Sequence, residues 1–71
     1  MELHVSVDRS VFFSALAYLP CRFDLTNDSG GVVVLSFGYD GDCANALAIF
    51  TRFGLGCLQS DRRMLSFELR S

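Results

Sequence analysis

Lysine and tryptophan are missing from this chain of 71 residues, and histidine and proline occur once each, as His4 and Pro20. Charge of one sign is scarce too: six arginines stand against eight acidic residues, for a net charge of −2. A nucleic-acid binder normally shows a basic surface, because neutralising phosphates supplies most of the non-specific affinity. Single-stranded nucleic acid is therefore the least expected partner. One histidine leaves no His-rich metal set and no second imidazole to act as a base. Cys21, Cys43 and Cys57 are odd in number and widely spaced, with no Cys-x-x-Cys pair. They read as reduced thiols packed like small hydrophobes, and neither a disulfide framework nor a zinc site is expected. The opening Met1-Glu2-Leu3-His4 lacks the basic and apolar regions of a secretion signal, and no apolar run approaches the length of a bilayer span. The expected compartment is cytoplasmic, without a membrane anchor.

What the chain does have is apolar residues: 51% are hydrophobic and 20% charged, which gives it enough surface to bury to offset the entropy of ordering. A chain this short has room for one compact domain, 1–71. Its centre is Gly31 to Tyr39, a run of β-branched and aromatic residues entered through Ser29-Gly30-Gly31 and left through Asp40-Gly41-Asp42. Side chains alternate across a strand, so Val33, Leu35 and Phe37 share the core face, while Val32, Val34 and Ser36 share the other.

The rest of the chain can be placed against that strand. Leu3, Val5 and Val7 alternate with polar neighbours as a first strand, and Asp8 or Ser10 can cap a helix from about Arg9 to Leu19, with Phe12, Ala15, Leu16 and Leu19 on one face. Pro20 ends it. Cys21, Phe23 and Leu25 alternate as a second strand, and Asn27-Asp28-Ser29-Gly30-Gly31 is the hairpin loop into the central one. Asp42 can cap a second helix from about Cys43 to Phe53, with Cys43, Ala46, Leu47, Phe50 and Phe53 as its stripe, closed by Gly54 and Gly56. Cys57-Leu58-Gln59 offers a short strand. Ser60-Asp61-Arg62-Arg63 then turns into a last strand carrying Leu65, Phe67 and Leu69 on one side.

Strand, helix, strand, strand, helix, strand is the split βαβ order of ferredoxin-like α+β sandwiches: two helices on one face of a four-stranded antiparallel sheet, in the spatial order 4-1-3-2. The uncovered face then carries His4, Ser6, Arg22, Asp24, Val34, Ser36, Ser66 and Glu68. RNA-recognition modules of this topology use that face with aromatics on their first and third strands; here those positions hold His4, Ser6, Val34 and Ser36. In topology and length the chain also resembles ACT-type regulatory domains, whose first strand-to-helix turn, here at Asp8, often binds an amino acid between protomers. The glycine usual in that turn is absent, and no ligand residue is carried over.

No pattern of nucleophile and base, phosphate loop or metal ligands emerges, so an enzyme is not expected. The leading expectation is a small regulator or inhibitor that occupies a surface on a larger protein or protein complex. Small phage and mobile-element antagonists of host complexes, anti-CRISPR proteins among them, are of this general kind. Candidate contact residues are Arg22, Asp24, Asp28, Asp40, Asp42, Asp61, Arg62 and Arg63, each of which also fits an ordinary solvated charge. The alternative, implied by the ACT resemblance, is a homodimer that binds a small metabolite.

Overall fold

Seven elements follow one another in a computed structural model that describes residues 6–27 and 30–70: β1 (Val7–Asp8), α1 (Arg9–Leu16), β2 (Phe23–Asn27), β3 (Val32–Phe37), α2 (Asp40–Arg52), β4 (Gln59–Ser60) and β5 (Met64–Arg70). Leu3, His4, Val5 and Asp28 lie outside the described residues. The result is a small α+β unit with two helices and a five-stranded sheet.

Alternation in β3 and β5 sets the layers. Val33, Leu35 and Phe37 are buried, as are Leu65, Phe67 and Leu69, while the residues between them are not. Register explains the match: Val33 lies opposite Phe67 and Leu35 opposite Leu65, so both apolar sets share one face. Phe12 of α1 and Phe50 of α2 both pack on the ring of Phe67, with centroids 5.1 and 4.6 Å away, so both helices cover that same face.

Helix α1 begins as its sequence dictates. Asp8 sits in an extended conformation, and its Oδ1 accepts from the amides of Ser10 at 2.9 Å and Val11 at 3.1 Å, two donors that a helix start otherwise leaves without partners. The helix stops at Leu16, short of the expected Leu19. Tighter bonds from Tyr18 N to Ala15 O and from Leu19 N to Leu16 O finish the segment before Pro20, as the restriction on residues preceding proline requires.

Helix α2 starts earlier than expected, at Asp40. Its cap position is Tyr39, which supplies no side-chain bond; Asp42, expected as the cap, instead lies in the first turn with Asp40. Both carboxylates favour the positive end of the helix dipole from there, which is why the shift costs little. At the other end Leu55 N donates to Phe50 O and Gly54 N to Thr51 O. That pairing closes the helix on a left-handed residue, and Gly54 supplies it with φ +76° while Leu55 turns back into the core.

The strand order departs from the ferredoxin-like expectation. The sheet runs β1-β5-β3-β2, with β4 also on β5, and it is mixed: β1 pairs β5 in parallel, the other pairs are antiparallel. The last strand, expected at the edge beside the first, lies between β1 and β3. Strand β4 is the physical reason. A chain returning from β3 through one helix enters the sheet parallel to β3, and β4 does so. The turn at Asp61–Arg63 then reverses the chain, so β5 runs antiparallel to β3 and takes the place beside it. Pairing closes tightly there: a Cβ on Gly31 would meet Leu69 O at 3.2 Å.

Candidate functional site

The reversal at Asp61–Arg63 brings three distant parts of the chain to one end of the sheet. Phe37 N, at the end of β3, donates to Arg63 O at 2.8 Å, and Asp61 N donates to Met64 O at 2.8 Å, which fixes the turn against the β3–α2 junction. From the first turn of α2, Asp40 meets the Arg63 guanidinium at 3.1 Å and that of Arg62 at 3.4 Å. The Cys43 thiol points to Asp61 O at 3.6 Å. Strand β2 begins at the same end, because Phe23 lies opposite Phe37 and Asp24 opposite Ser36, which in turn faces Met64 on β5.

The consequence for the expected contact residues is direct. Arg22, Asp24, Asp40, Asp42, Asp61, Arg62 and Arg63 gather at this end, although the sequence spreads them over more than half of the chain. Asp28 lies outside the described residues. Asp42 is half-buried and the other six are exposed. Arg22 and Asp24 share a shallow depression with Cys21, Phe23, Ser36 and Gly38; Asp61 and Met64 share another, on the open face, with Val34, Gln59, Leu65 and Ser66.

Two apolar residues that the sequence reading did not single out stand among these charges. Tyr39 is 74% exposed and Met64 47%. Continued past Phe37, the alternation of β3 would put Tyr39 on the core side. Because β3 ends at Phe37 and the chain turns into α2, Tyr39 escapes that parity and points outward. No local signal marks it; a strand end one turn earlier would have.

Burial, and then the charge of Asp42, pushes the Cys21 thiol above its ordinary range. Burial, followed by Asp40 and Asp61, does the same to Cys43. Thiols held in the protonated form are poor nucleophiles. All three cysteines are unpaired, and among the described residues no group of three His, Cys, Asp or Glu side chains could hold a metal ion.

At the opposite end of β5, Asp8 is committed to its helix. The Ser10 hydroxyl donates to Oδ1 at 2.6 Å, and this bond, together with the Val11 amide, holds the Asp8 carboxyl below its ordinary value of 3.8. Among the described residues, the open face of β2, β3 and β5 presents Asp24, Thr26, Val32, Val34, Ser36, Met64, Ser66 and Glu68, without an aromatic ring. No helix among the described residues is long and apolar enough to cross a membrane. Against known proteins, the chain matches no family model, no curated protein and no solved structure.

Proposed function

We propose that this chain is a non-enzymatic protein-binding regulator or inhibitor that works by covering a surface of a larger protein or complex with the end built from Arg22, Asp24, Tyr39, Asp40, the Asp61–Arg63 turn and Met64. One observation carries the reading: exposed Tyr39 and Met64 stand among arginines and carboxylates at the same end. Tyrosine, methionine and arginine are enriched in protein interfaces, where an aromatic anchor supplies affinity and surrounding charges set specificity.

Its charges are already paired in part. Asp40 holds Arg62 and Arg63 in place, so their guanidinium groups lose less freedom on docking than free arginines would. A host-directed antagonist of the phage or mobile-element kind, acting inside the cell where thiols stay reduced, fits a module of this size. Proteins captured by the wild-type chain test the reading against two variants. Tyr39→Ala combined with Arg62→Glu should abolish capture, and Arg70→Ala, at the far end of β5, should keep it. A capture pattern that is the same for all three chains, with each shown to be folded by its thermal melt, removes this end from the function.

A further inference from the structure

We propose that two copies of this chain join edge to edge through β2, Leu25 against Leu25, into one continuous sheet. The inference does not rest on the proposed function, although Asp24 belongs to both regions; it rests on the backbone geometry of the β2 edge. Among the described residues no strand lies beyond β2, whereas the opposite flank of β5 carries β1 and β4, each two residues long. Short strands are a common way to blunt an edge; so are lysine, proline and bulges. β2 has no lysine, proline or bulge, and its one charge, Asp24, stands on the open face of the sheet. It is a regular five-residue strand, Phe-Asp-Leu-Thr-Asn, paired without interruption along β3.

The direction of its free backbone groups follows from the far side of β3. Phe37 N donates to Arg63 O at 2.8 Å and Leu69 N to Gly31 O at 2.9 Å, so the odd-numbered residues of β3 bond to β5 and the even-numbered ones to β2. Their partners on β2 are Asp24, opposite Ser36, and Thr26, opposite Val34. By the same alternation the N–H and C=O of Phe23 and Leu25 point away from β3, out of the sheet. An antiparallel copy centred on Leu25 meets those groups in register, and the two Leu25 residues exchange both of their backbone hydrogen bonds.

Side chains select a second copy of this chain as the occupant. Asp24 is the one charged residue of β2. A two-fold axis at Leu25 sets it opposite Thr26 of the copy, so no like charges face each other; an axis at Asp24 would oppose two carboxylates. On the helix side, the helices pack over β1, β3 and β5 and leave β2 uncovered, so Leu25 is 38% exposed although its face is the core face. The two-fold keeps both helical layers on one side of the joined sheet, and the paired Leu25 side chains fill the gap between them. An isologous contact of this kind closes at two copies.

Sedimentation and light scattering of the whole chain over a concentration series test the proposal, together with amide hydrogen exchange. The wild type should pass from monomer to dimer. Leu25→Lys, which sets two ammonium groups against each other, should weaken the dimer by roughly tenfold or more while leaving the melt of the dilute monomer near that of the wild type. In the wild type the Phe23 and Leu25 amides should gain protection as concentration rises, a readout that needs no variant to fold. A chain that stays monomeric throughout, a dimer that Leu25→Lys leaves intact, or a dimer in which the Phe23 and Leu25 amides still exchange freely overturns the proposal.

Discussion

Phe12 and Phe50 stack with their centroids 5.5 Å apart and their planes 9° from parallel, one ring from each helix, both fully buried over Phe67. These three rings join the helical layer to the sheet, and Leu35 and Leu65 complete the set of large, fully buried side chains. A domain this small has few such groups to lose. Phe50→Ala removes a ring that touches both of the others and should cost about 3–5 kcal/mol by lost transfer energy and cavity formation. Urea denaturation gives the value directly; a loss under about 1 kcal/mol would mean that the three-ring cluster is not formed.

Neighbours in β3 should behave in opposite ways. Phe37 is 6% exposed on the helix side, while Ser36 lies on the open face between Asp24 and Met64. Phe37→Ala should lower stability by about 3–5 kcal/mol, and Ser36→Ala should change it by about 0.5 kcal/mol or less. Equal losses in matched denaturation curves would show that the two faces are assigned the wrong way round.

Acid should loosen α1 through Asp8. Its carboxyl is held below the ordinary value of 3.8, chiefly by the Ser10 hydroxyl and then the Val11 amide. The folded form therefore binds its proton less readily than the unfolded form does. The stabilisation is complete above the unfolded value and fades as pH falls through the folded one. Asp8→Asn, which keeps a capping oxygen but cannot titrate, should flatten this part of the pH–stability curve. Melts recorded between about pH 2 and pH 5 reveal it; parallel curves for the two chains would contradict the assignment.

Thiol chemistry should rank the three cysteines by their surroundings. Cys43 is buried, and burial with Asp40 and Asp61 nearby raises its pKa, while Cys21 and Cys57 are half-buried. Alkylation followed by mass spectrometry at neutral pH should label Cys43 last, and at a rate that follows global unfolding. Rapid labelling of Cys43 in the folded chain would mean that the α2 start opens on its own.

Much of the fold was legible because its signals are local. The alternation of Val33, Leu35 and Phe37, and of Leu65, Phe67 and Leu69, assigned their core face correctly, and Asp8 and Gly54 mark helix ends through backbone chemistry that involves only near neighbours, whereas α1 stops four residues before Pro20. The start of α2 was less legible, since Asp40 and Asp42 suit a cap or a first turn equally well. The site was legible only in part. The charged residues could be named one by one, but nothing local says that Arg63 reaches Asp40 at 3.1 Å, or that Tyr39 leaves its strand.

By itself, then, the sequence determined that two helices and the strands β2, β3 and β5 form, to within a few residues at their ends, and which side of α1, α2, β3 and β5 faces inward, because periodicity and caps act over a few residues. Tertiary structure alone decided that β5 sits between β1 and β3, that the charged residues meet at one end, and that β2 is left with an open edge. The deciding piece is Gln59–Ser60, two exposed polar residues without an apolar pattern, whose pairing with β5 reverses the direction in which the chain comes back to the sheet. Strand direction is a property of the whole path, and no short window of residues encodes it.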